Sequence, residues 1–141
     1  MPIHNRPSAD GQAILLLCSS VGLGKDAGVR ALTPVEYDDV VPALLARGHT
    51  PAGLLGLGSV EIQERLGTKP EQSDRIARLL GRGVQFAIEM EQLGSMGIWA
   101  VSRAEAAYPQ RWKDRLKTSA PPVVFGVGDL ARLGEGGLAV V

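Results

Sequence analysis

At Gly97 the spacing of apolar residues changes period, and that change constrains the fold more than any other feature of the chain. Before it, apolar residues recur at the three- and four-residue intervals of helices. After it, short β-rich runs are separated by prolines and glycines. The expected class is α+β or α/β, with a helical domain over 9–95 and a strand-containing part over 97–141. A chain of 141 residues has room for one ordinary domain, or for a small one and an incomplete second.

Residues 1–8 carry Pro2 and Pro7 without periodicity and read as a lead-in. The run Ala13, Ile14, Leu15, Leu16, Leu17 predicts a short buried helix from Ala9 to about Ser20, stopped by Gly22 and Gly24. A second short helix is expected through Val29 and Leu32. Thr33, Pro34 and Glu36 form a capping-box start: a hydroxyl for an orphan amide, a proline at the first helical position, and a carboxylate three residues on. That helix is expected to reach Arg47, end at Gly48 and kink at Pro42, which lacks an amide donor. Ser59 is read as the cap of another helix through Leu66, closed by Gly67. The face Ile76, Leu79, Leu80, Val84, Ala87 extends to about Leu93, with Gly94 and Gly97 ending it. Gly81 and Gly83 interrupt it at ~1 kcal/mol each relative to Ala, so one bent helix and two abutting helices are both open.

Beyond Gly97 the expected order is a strand over 98–102, a helix over 109–116 with Pro109 first, and a strand over 123–125. A turn through Gly126, Gly128 and Asp129, a helical piece near 130–133 and a third strand over 138–141 complete it. A buried-type strand at the very end suggests a chain that continues past Val141.

Only 4% of residues are aromatic, so Leu, Val, Ile and Ala must supply most of the core. Fifteen Lys plus Arg balance fifteen Asp plus Glu, which leaves no global field to attract nucleic acid or an anionic membrane. Any DNA contact must be local. Cys18, the single cysteine, lies at the end of an apolar run and reads as a buried, inert thiol of a reducing compartment. The N-terminus lacks the apolar core of a secretory signal, and no apolar run approaches the ~20 residues of a membrane span. A cytoplasmic, membrane-free protein is expected.

The residues from Gly97 to Val141 combine several irregular features in order: a Gly-led strand to Ser102, the pair Tyr108-Pro109, a short helix from Trp112 to Leu116, and the pair Pro121-Pro122. An apolar strand with a Gly turn, Val123 to Gly128, and the apolar Leu138 to Val141 follow. This stretch resembles the opening of the Rossmann-like core of DprA/Smf DNA-processing proteins. The resemblance implies a sterile-alpha-motif-like helical domain over 9–95 and the first strands of an incomplete Rossmann-like domain over 97–141. It further implies a non-enzymatic mediator that binds single-stranded DNA and assists RecA recombinase in natural transformation, with a homodimer possible for the full-length protein. The family's main DNA-binding loop follows the strand that matches 138–141, so its residues have no counterparts here.

Within the chain, 103–117 is the most basic stretch: Arg103, Arg111, Lys113, Arg115 and Lys117 stand against Glu105 and Asp114. These cations are the candidate phosphate contacts. Tyr108 and Trp112 either offer stacking faces to unpaired bases or bury against the first strand. The glycine pairs at Gly22/Gly24 and Gly56/Gly58 serve as tight turns, or as helix-hairpin-helix turns whose amides approach a phosphate, with Lys25 as a sixth candidate. The latter supports an alternative function, a helical protein–protein or duplex-DNA interaction module without single-strand activity. Gly22 to Lys25 lacks the spacing of a nucleotide-binding loop. His4 and His49 stand alone, so no metal or other cofactor is expected. Asp38-Asp39 and Glu89/Glu91 read as solvated carboxylates without a nucleophile or base, and no catalytic set emerges.

Overall fold

A computed structural model describes residues 7–24 and 28–130. Their order is α1 (Ala9–Cys18), α2 (Pro34–Ala46), a 3-10 turn (Pro51–Leu54), α3 (Ser59–Leu66), α4 (Pro70–Leu80), α5 (Gly83–Ser95), β1 (Ile98–Ser102), α6 (Gln110–Leu116), a 3-10 turn (Lys117–Ser119) and β2 (Val123–Val127). The chain is thus mostly helical with a small antiparallel sheet, an α+β arrangement. No helix among the described residues is long and apolar enough to cross a membrane.

Helix α1 is the hub. Ala13, Ile14, Leu15, Leu16 and Leu17 are all buried, and five consecutive residues face every side of a helix. α2, α4, the Pro51–Leu54 turn and both strands surround it. At its start the Ser8 hydroxyl accepts from the Gly11 amide at 3.1 Å, while the Ser8 amide and hydroxyl donate to Glu105 Oε1 at 2.9 and 2.7 Å. A carboxylate from beyond β1 therefore sits at the positive end of α1. The Asp10 carboxylate accepts from the Ala52 amide at 2.8 Å, anchoring the 3-10 turn, which sequence patterning did not reveal.

The capping box of α2 forms as expected. Thr33 Oγ1 accepts from the Glu36 amide at 3.2 Å, and Glu36 Oε1 accepts from the Thr33 amide at 2.9 Å. Arg75 of α4 donates to both Glu36 oxygens at 2.6 and 3.1 Å, and to the carbonyls of Arg30 and Ala31 at 2.9 and 2.8 Å. Bonds from Arg75, and then from the Thr33 amide, hold the Glu36 carboxyl down at about 2, against an ordinary 4.5. The folded-state value is depressed, so the stabilisation is complete above about pH 4.5 and is lost as pH falls towards 2. With 33% of the side chain in water, screening limits the effect to about 1 kcal/mol. Glu36→Gln is expected to lose that much at near-neutral pH and nothing once both chains are below the folded value. Urea midpoints measured across this range check it, and a gap independent of pH would contradict it.

Several local expectations are corrected. No helix occurs over 28–33; this segment is held open by Arg75 and by the Leu32 amide donating to the Leu17 carbonyl at 2.7 Å. Ser59 is the first residue of α3 rather than its cap, a position taken by Gly58. Pro109 is likewise the cap of α6, not its first residue. Gly67 does close α3, at φ +67, and Arg47 donates to the exposed carbonyls of Glu64 and Arg65 at 2.7 and 2.9 Å. α2, with Pro42 inside it, reaches Ala46 and is capped by Arg47, as expected. α4 and α5 are separate, and α5 continues past Gly94 to Ser95.

The break between α4 and α5 seats Arg82. Its guanidinium donates to the carbonyls of Val21 at 2.9 Å, Leu16 at 2.5 Å, Leu79 at 2.6 Å and Ser19 at 2.7 Å. These include carbonyls from the C-terminal ends of α1 and α4, which helices leave without intrahelical partners. Burial pulls Arg82 down to about 10, so it remains charged at neutral pH.

β1 and β2 pair antiparallel, with Ile98 opposite Val127 and Ser102 opposite Val123. Ala100, Val123 and Phe125 face the helical core, whereas Trp99, Val101 and Val124 face a second cluster with Tyr108, Ala120, Trp112 and Leu130. Apolar layers on both faces explain why neither strand alternates polar with apolar. Pro121 and Pro122 are fixed through their carbonyls, which accept from the Tyr108 hydroxyl at 2.8 Å and the Arg103 amide at 3.0 Å. The expected strand over 138–141 and all but Leu130 of the piece near 130–133 lie outside the described residues.

Candidate nucleic-acid interface

The basic stretch is divided by the fold into engaged and free cations. Arg103 follows β1 and pairs with Asp38 of α2 at 2.8 Å, with its guanidinium 5.5 Å from the centre of the Tyr37 ring. That pair joins strand to helix, and it makes Asp38 structural rather than merely solvated. Lys113 is half-buried, its ammonium 5.6 Å from the centre of Tyr108. Arg111, Arg115 and Lys117 are exposed, and none forms an ion pair among the described residues. The carboxylate on the same helix, Asp114, accepts from Gln110 at 3.0 Å. Lys25 lies outside the described residues.

Of the two readings of Tyr108 and Trp112, the buried one is observed for Tyr108, while Trp112 is half-buried against the same cluster. Tyr108 is buried, its hydroxyl donates to Pro121, and desolvation raises its pKa, so the phenol stays protonated. Trp112 meets it edge-on, with ring centres 5.9 Å apart and planes at 88°. Tyr108 is therefore not a free stacking platform. Sequence order could not distinguish these cases, because the partner of Tyr108 arrives from the Pro121 turn.

The first glycine pair is also engaged within the chain. Gly22 has φ +80, and its amide donates to the carboxylate of Glu89 on α5. A phosphate at that amide would have to displace an internal anion, and Glu89, read from sequence as solvated, is a turn anchor. In the second pair Gly56 has φ +79 with open space around it, and Gly58 caps α3 without a side-chain bond. Cys18 is half-buried, and desolvation pushes its thiol up to about 12, far from a reactive thiolate. No group of His, Cys, Asp and Glu that could hold a metal occurs among the described residues.

Comparison with family models, curated proteins and solved structures gave no match. The functional reading therefore stands on the residues. What they offer is a short helix with cations on its outer surface, beside a two-stranded sheet that carries an apolar cluster on each face.

Proposed function

We propose that the chain is a DprA/Smf-type DNA-processing protein that binds single-stranded DNA and assists RecA recombinase in recombination during transformation. In this reading 9–95 corresponds to the sterile-alpha-motif-like domain, and β1 with β2 begins the Rossmann-like sheet. The protein is cytoplasmic and acts by binding rather than catalysis. The ordered motif set from Gly97 to Val141 supports the kinship. The observation that carries the binding role is the exposure of Arg111, Arg115 and Lys117 without a carboxylate partner among the described residues.

Fluorescence anisotropy on a labelled oligothymidylate tests it. Removing two phosphate contacts by Arg111→Ala plus Arg115→Ala is expected to weaken binding about tenfold or more at low salt. Equal affinity in the double variant and the wild type would exclude α6 as the contact. The duplex-DNA alternative loses its best turn, since the Gly22 amide is already taken. A protein-interaction module keeps one supporting observation, the exposed Val84 and Ile88 one turn apart on α5.

A further inference from the structure

The corner that ends β1 reaches back to two helices at once. The Glu105 amide donates to the Ser102 carbonyl at 3.1 Å and the Ala104 amide to the Ser102 hydroxyl at 3.2 Å, so Ser102 to Glu105 form a tight, internally bonded turn. Its carboxylate, on Glu105, accepts from the Ser8 amide and hydroxyl at the start of α1. Its cation, on Arg103, pairs with Asp38 of α2, while the Arg103 amide donates to the Pro122 carbonyl just before β2. Arg103 alone therefore joins β1, the entry to β2 and α2.

Gly11 shows how closely this corner seats on α1. A Cβ there would lie 3.2 Å from the Ser102 hydroxyl oxygen and would collide with the Glu105 carboxylate. The apolar contacts run the same way. Ala13 to Leu17 are buried around the whole circumference of α1, and Ala100, Val123 and Phe125 of the strands supply part of that cover. A helix with no face left for water loses burial on any side from which a neighbour is removed. Without β1 and β2 the helical stretch lacks a complete core.

We infer that the Ser102–Glu105 corner is a latch that makes 9–95 and the strand pair one cooperative body, so that the helical stretch is not a detachable module. The change of apolar period at Gly97 marks a change of secondary structure and not a boundary between units that unfold separately. This coupling does not depend on what α6 binds. Any ligand that favours the folded strand-containing part stabilises α1 and α2 with it.

The distribution of residues supplies the test. Both tryptophans, Trp99 and Trp112, follow Gly97, whereas α1 to α5 precede it and only α6 follows among the described residues. Tryptophan fluorescence therefore reports the strand-containing part, and far-ultraviolet circular dichroism mainly reports the helices before it. In urea unfolding of the full chain the two signals are expected to share one midpoint. Removing both ties by Arg103→Ala plus Glu105→Ala should lower both midpoints together by about 0.5 M. Glu105→Gln, which keeps the side-chain length, should give a smaller joint shift and serves if the double variant does not fold. A wild-type fluorescence change at lower urea than the loss of helix would overturn the inference, and that comparison needs no variant. It is equally overturned by variants whose midpoints match the wild type, or in which fluorescence moves and the helical signal does not.

Discussion

Replacing Arg82 by alanine is expected to destabilise the fold by about 3 kcal/mol, among the largest effects available to a surface-reaching polar side chain. The guanidinium donates to four carbonyls, those of Leu16, Ser19, Val21 and Leu79. Bonds from a charged donor contribute about 1.5–3 kcal/mol each when fully buried, but Arg82 is half-buried and water can replace part of what is lost. The remainder is the cost of leaving partly buried carbonyls at two helix ends without donors. Lysine, with a single ammonium, cannot span the same four acceptors, so Arg82→Lys should recover less than half of the loss. Urea unfolding measures both variants. A loss below 1 kcal/mol in Arg82→Ala would show that water caps these ends as well as the guanidinium does.

Gly22→Ala is expected to cost a similar amount, about 3 kcal/mol, for a different reason. Two penalties coincide there. The backbone has φ +80, and a Cβ would lie 2.6 Å from the Phe86 amide nitrogen and 2.8 Å from its Cα. Main chain cannot swing aside as a flexible side chain can, so α5 must shift away from the turn and loosen the Glu89 anchor. Other glycines separate the contributions. Gly48 has φ +74 with open space around it, so Gly48→Ala reports conformational strain alone, about 1 kcal/mol. Gly24 has neither a crowding neighbour nor a positive φ, and Gly24→Ala should be nearly neutral. If Gly22→Ala and Gly48→Ala unfold at the same urea concentration, the close approach of α5 has no energetic weight.

Both effects lie at one junction whose importance was not apparent from residue order. Gly81 and Gly83 are recognisable as a break, but not as the seat of a guanidinium. Glu89 and Asp38 look like ordinary solvated carboxylates until Gly22 and Arg103 arrive beside them. The candidate site shows the same limit. Its charge excess is visible in the sequence, yet the fold withdraws Arg103 and Lys113 into internal contacts and leaves Arg111, Arg115 and Lys117 outside.

Residue order by itself determined the local punctuation of this protein: the Thr33 capping box, the left-handed glycine after α3, the strands on either side of α6, and the switch from helix to strand at Gly97. Those features act over three or four residues, within reach of a single hydrogen bond or a steric restriction on one peptide. The tertiary structure decided how the charges are used, because Arg82 meets acceptors 61, 63 and 66 positions away and Arg103 a carboxylate 65 away. Charges of identical composition become a helix cap, a strand-to-helix tie or an open contact surface according to what long-range packing brings against them.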